Sequence, residues 1–92
     1  MVVYAEVEYM FYDVQSLKAK RSIMKRIIQR VQNEFNVAIA EIDYQDLWQR
    51  TKFAIVTVSN DFTHSEKVIH DVIRFIDKNP EIERTITKVY PL

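Results

Sequence analysis

Apolar and polar positions alternate at the start of the chain, with Val3, Ala5, Val7, Tyr9 and Phe11 interleaved by Tyr4, Glu6, Glu8, Met10 and Tyr12. A period of two is the mark of a strand with one buried face, and it predicts a strand over 2–12. The period then changes. Leu17, Met24, Ile27, Ile28, Val31 and Phe35 recur at helical spacing behind Ser16, whose hydroxyl can cap, and they predict a helix over 17–34. Two runs rich in β-branched residues, VAIAEID (37–43) and KFAIVTVS (52–59), flank the polar stretch YQDLWQR and predict a hairpin with a long connection. Thr63 and Glu66 have capping-box spacing ahead of Val68, Ile69, Val72, Ile73 and Ile76, which predicts a helix over 64–78 that stops at Asn79-Pro80. The segment IERTITKVY (82–90) completes the pattern as an edge strand.

The order is therefore βαββαβ. Right-handed crossovers put both helices on one face of a four-stranded antiparallel sheet, the α+β ferredoxin-like arrangement, in a single domain over 1–92. The other sheet face is left for water, a ligand or a second subunit, and it carries Tyr4, Met10 and Tyr12 on the first strand.

Composition narrows the chemistry. The chain has no Cys, which removes disulfides, thiolate metal sites and a cysteine nucleophile, and which suits a cytoplasmic protein. It also has no Gly, which removes the standard Walker, dinucleotide and GxxG loops. Turns fall instead to Asn36, Tyr44 to Asp46, Asn60 to Asp61 and Asn79 to Pro80. The apolar N-terminal run is interrupted by Glu6 and Glu8, so it reads as neither a signal peptide nor a membrane span. His64 and His70 stand six apart on a helix and cannot share a metal, so no metal or cofactor is expected. His64 with Asp61 and Ser59 lacks an oxyanion loop and reads as a capped helix start, not as a nucleophile set; the chain is expected not to be an enzyme.

Charge is where the chain departs from an ordinary pattern. It holds 13 basic and 13 acidic residues, yet Lys18, Lys20, Arg21, Lys25, Arg26 and Arg30 place six positive and no negative charges in residues 16–32. Lys18, Arg21 and Lys25 fall within about 60° of one another on the helix, and their position near its start opposes the macrodipole. Such a row contacts RNA phosphates or another anion, or it is neutralised by acids on neighbouring elements or across a subunit interface. Lys20 lies on the apolar side of the wheel, where it is expected to snorkel at the helix end, pairing with a buried carboxylate being the alternative. Trp48 is expected to close one end of the core, and it becomes an interface residue if exposed. Recognition of RNA on the open sheet is disfavoured by Glu6, Glu8, Glu41 and Asp43 and by the partial match of FAIV (53–56) to the RNP1 pattern.

SLKAKR (16–21), FNV (35–37), DLWQR (46–50) and VSND (58–61), in this order and spacing, resemble the YlxP-like family of small bacterial proteins, a domain of unknown function. The resemblance spans the whole chain. It implies a ferredoxin-like fold, a homodimer and, because members are often encoded beside translation initiation and ribosome maturation factors, a place near RNA or the ribosome. It carries over no catalytic residue. Ser16, Leu17, Lys18, Lys20 and Arg21 match the family's basic helix start, and Asp46, Trp48, Gln49 and Arg50 belong to its Trp-containing connection. Ala19, Tyr4, Phe11 and Tyr12 depart from the family pattern. The resulting expectation is a non-enzymatic protein that binds RNA or a ribosomal partner through Lys18, Lys20, Arg21 and Lys25, with Asp46 to Arg50 as a partner surface. The alternative is a dimeric regulatory or protein-interaction module that binds no nucleic acid.

Overall fold

A computed structural model describes all 92 residues and has the βαββαβ order. The elements are β1 (Val2–Phe11), α1 (Leu17–Glu34), β2 (Ala38–Asp43), β3 (Arg50–Val58), α2 (Phe62–Asp77) and β4 (Ile82–Pro91). All strand pairs are antiparallel and the sheet order is β2-β3-β1-β4, so the fold is ferredoxin-like, with its first and third strands central.

The alternation in β1 does what its period requires. Val3, Ala5, Val7, Tyr9 and Phe11 all point into one core shared with Phe53 and Ile55 of β3 and with the apolar faces of both helices. From α1 come Met24, Ile27 and Val31; from α2 come Ile69, Val72, Ile73 and Ile76. Fully burying a side chain of this kind contributes about 1.5–3 kcal/mol, so this layer holds the helices to the sheet. Polar groups that enter it have partners. Tyr9 donates its hydroxyl to Asp77 Oδ1 at 2.8 Å, and burial together with that hydrogen bond raises its pKa. Ser65 donates to the Met1 carbonyl at 2.9 Å.

The boundaries differ from expectation in instructive places. β3 starts two residues earlier, at Arg50, because Met10 pairs with Arg50 and the Phe11 amide donates to the Gln49 carbonyl at 2.8 Å. α2 starts at Phe62, not at 64, and Thr63 is not its cap. Asp61 is, its carboxylate accepting from the Thr63 amide at 3.1 Å. A capping motif read from spacing alone was displaced by an Asp two residues upstream, a stronger competitor for the same free amides. Both edge strands carry register shifts: Ile42 is the extra residue in β2, and Thr85 is the extra residue in β4, where its hydroxyl donates to the Glu8 carbonyl at 3.2 Å.

With no glycine available, two other residues take positive φ, Asp13 at 51° and Tyr44 at 64°. Tyr44 is the unusual one, because an aromatic side chain in the left-handed region is disfavoured by about 1 kcal/mol or more. Three neighbours hold it. Asp43 accepts from its amide, Lys20 donates to its carbonyl, and the Arg50 guanidinium lies 3.9 Å from its ring centroid.

Candidate nucleic-acid interface

α1 positions the basic residues. Ser16 caps it by accepting from the Ala19 amide at 3.0 Å, and no acidic residue occupies the first turn to satisfy the helix dipole. Lys18, Arg21 and Lys25 are all exposed, and none forms an ion pair or a side-chain hydrogen bond. Six of the 13 acids form ion pairs, all with cations other than these three. Glu6 and Glu8 face Lys52 and Arg50 on the open sheet face, Glu41 pairs with Lys20, Asp71 with Lys67 and Arg74, Asp77 with Arg84, and Glu81 with Arg26. Within the protomer the row thus faces solvent and not the acids of β1 and β2. Such an arrangement attracts polyanions, and salt screens that attraction.

Lys20 belongs to a different structure. Its side chain is only 1% exposed, and Nζ lies 2.9 Å from Glu41 Oε2 and 2.7 Å from the Tyr44 carbonyl. The expected snorkelling is replaced by pairing with a carboxylate inside the fold, so Lys20 is not available to an incoming anion. The reason is visible in β2: Ile39 points inward, and two residues on Glu41 points the same way, where Thr51 also donates to it at 2.6 Å. Both signals were in the sequence, one as the wheel position of Lys20 and the other as the period of β2.

The connection from β2 to β3 also departs from expectation. Trp48 is 43% exposed and closes no part of the core, and Leu47 beside it is exposed as well. Asp46, Leu47, Trp48 and Gln49 line a shallow surface pocket of their own. Arg50 does not join them. It turns onto the open sheet face, donating to Glu8 Oε1 at 2.7 Å and to the Tyr44 hydroxyl at 3.0 Å. The hydrogen bond from Arg50 to Glu8 raises the guanidinium's pKa.

The open sheet face is mixed. Its middle carries the Glu6, Glu8, Arg50 and Lys52 cluster, and around it lie exposed Met10 and Ile86 and the Tyr4–Tyr90 pair, stacked with ring centroids 6.1 Å apart. Stacked aromatics with flanking carboxylates are a poor platform for bases, as Glu6 and Glu8 lead one to expect, although Glu41, grouped with them in the sequence, turns inward to Lys20 and Thr51.

His64 and His70 are both exposed, and no group of three His, Cys, Asp or Glu side chains is placed to hold a metal ion. No helix is long and apolar enough to cross a membrane.

The geometry is that of a known small domain. A solved de novo designed protein, Foldit4, superposes with a TM-score of 0.62 over 100% of this chain and 99% of its own, at 20% identity, a likeness of fold alone. At the level of sequence, the uncharacterized protein YlxP of Bacillus subtilis (strain 168) is 56% identical over 88 residues, 96% of each chain. The family model described as a protein of unknown function (DUF503) matches residues 2–89. With both SLKAKR and DLWQR inside the matched span, the chain belongs to the DUF503 family.

Proposed function

We propose that this protein is a non-catalytic RNA-binding protein that acts at or near the ribosome, and that its contact is the row Lys18, Arg21 and Lys25 on α1. One observation carries the reading: three cations at helical spacing are exposed together and have no acidic partner in the protomer, although the chain contains as many acids as bases. Foldable sequences are otherwise locally consistent, and Lys18 and Arg21, in and just past the first turn of α1, oppose the helix dipole with no acidic residue there to compensate. The contact is to phosphate, so it is largely independent of base sequence. The test is co-sedimentation with ribosomes at low salt, with and without nuclease. Lys18→Glu, Arg21→Glu and Lys25→Glu combined abolish it on this reading, and unchanged co-sedimentation refutes it.

A second reading is favoured by the open sheet face. Its apolar rim, Met10, Ile86 and Tyr90, surrounds carboxylates and cations in similar number, a balance that lets a two-fold axis set opposite charges against one another. On this reading the protein is a dimeric interaction module in which a second copy covers that face. Sedimentation equilibrium then gives a dimer mass that Met10→Lys with Ile86→Lys reduces to a monomer mass, while the α1 charge reversal leaves it unchanged. A monomer at all concentrations refutes it.

A further inference from the structure

The two helices leave between them a cleft of about 360 Å³, on the flank of α1 turned away from Lys18, Arg21 and Lys25. Arg26 and Arg30 reach it from α1, Phe75 and Lys78 from the end of α2, and Pro80 and Glu81 from the turn that follows. Three cations meet one carboxylate there, an excess of two positive charges. Arg30 and Lys78 are exposed and have no ion-pair partner, so the excess is free. The Glu81 carboxyl is held below the usual carboxylate range, chiefly by the hydrogen bond from Arg26 and further by the charge of Arg30.

The built-in pair is incomplete. Arg26 meets Glu81 through a single contact of 2.7 Å, and Arg26 Nε and Glu81 Oε1 are each buried without a hydrogen-bond partner. Guanidinium and carboxylate prefer two parallel bonds, and the only other bond this arginine makes, from the same Nη2 to Asn79 Oδ1, is long at 3.2 Å, so the side chain can turn toward a competing oxyanion. The carbonyls that end α2 would repel an anion if they were open, but two of them, those of Phe75 and Ile76, are capped. Asn79 Nδ2 donates to the Ile76 carbonyl at 2.9 Å, and the Lys78 amide donates to the Phe75 carbonyl at 3.3 Å. The remaining wall is the side of the Phe75 ring, itself fixed edge-on by Phe35 with centroids 5.3 Å apart, and Pro80 beside it. The volume lies at the lower end of the range for small-ligand sites, about 300–1,000 Å³.

We propose that this interhelical cleft binds a nucleotide, its phosphate held by Arg30 and Lys78 with Arg26 behind them and its base laid against Phe75 and Pro80. The chemistry is that of a phosphate joined to a flat ring, supplied either by a free nucleoside monophosphate or by the terminal nucleotide of an RNA chain. The site is separate from the row on the solvent face of α1 and stands whether or not that row binds RNA.

The test follows amide chemical shifts of the intact protein during titration with AMP, adenosine, inorganic phosphate and an RNA hexamer with or without a 5′-phosphate. AMP shifts the amides of Arg30, Lys78, Asn79 and Glu81, and binds at least about tenfold more tightly than adenosine or inorganic phosphate. Arg30→Ala with Lys78→Ala, both exposed positions whose loss leaves the helical circular dichroism unchanged, weakens AMP by about tenfold or more. Glu81→Gln removes the competing carboxylate and tightens AMP several-fold, an effect opposite in sign to that of a merely structural pair. Lys18→Ala with Arg21→Ala and Lys25→Ala leaves the AMP affinity within about twofold, because charges outside the cleft are screened. A hexamer that shifts the cleft amides only when 5′-phosphorylated identifies an RNA end as the source, and one that never does so identifies the free nucleotide. The proposal is overturned if AMP leaves these amides unmoved, if the Arg30 and Lys78 double variant binds AMP as the parent does, or if Glu81→Gln weakens binding.

Discussion

Lys20 Nζ lies 2.9 Å from Glu41 Oε2, and this pair ties the first turn of α1 to the edge strand β2 from inside the fold. The same ammonium donates to the carbonyl of Tyr44, so it also fixes the one aromatic residue held at positive φ. A lysine that begins as a member of a basic cluster in the sequence is a structural element here. Removing it leaves Glu41 without its countercharge and Tyr44 without its restraint. Lys20→Ala is therefore expected to cost about 3–4 kcal/mol in urea denaturation, and Lys20→Met with Glu41→Gln, which removes both charges and keeps an acceptor for Thr51, to cost less than half as much. Equal losses in the two variants contradict the assignment.

The cap of α2 is an equally local matter. Asp61 accepts from the Thr63 amide, and Ser59 donates its hydroxyl to the Asp61 carbonyl at 2.7 Å, which steadies the turn that presents the cap. Asp61→Ala should lower stability by about 1 kcal/mol, whereas Thr63→Ala should change it by less than about 0.5 kcal/mol. Thermal melts of the two variants distinguish them, and a larger effect at Thr63 would restore the capping-box interpretation.

Acid sensitivity follows from two carboxylates. The hydrogen bonds that Glu81 receives from Arg26 and Asp71 from Lys67 lower the pKa of each carboxyl in the folded protein. A lowered folded pKa means that the unfolded chain binds more protons across the window between the two values. The stabilisation is thus fully present above the ordinary carboxylate range and is lost as pH falls through it. Denaturation midpoints measured from about pH 6 down to about pH 3 should decline, and the decline should be shallower in Glu81→Gln with Asp71→Asn. An identical slope in parent and variant places the acid sensitivity elsewhere.

Most of the fold was legible because the signals that set it are local. The period of β1, the wheel of α1 and the β-branched runs each follow from one element, and α1 spans the residues its pattern predicts. What was not legible depends on tertiary neighbours. Trp48 looked like a core residue because aromatics usually are, but in the β2–β3 connection it is left exposed beside Leu47. The choice between snorkelling and pairing at Lys20 needed the register of β2 against β3, which a bulge at Ile42 helps to set. The interhelical cleft was out of reach, since Arg30 and Lys78 are far apart in sequence and meet only through the packing of α1 on α2.

If Lys18, Arg21 and Lys25 act together on phosphate, as proposed, the salt dependence of RNA binding reports their number. For the intact protein, the logarithm of the association constant for a single-stranded RNA, measured by fluorescence anisotropy at increasing KCl, should fall linearly with the logarithm of salt concentration. Each phosphate contact to a single strand contributes about 0.7 to that slope, so Lys18→Gln with Arg21→Gln and Lys25→Gln should reduce it by about 2. An unchanged slope in the triple variant, or an affinity in the parent that does not respond to salt, rules out this row as the phosphate contact.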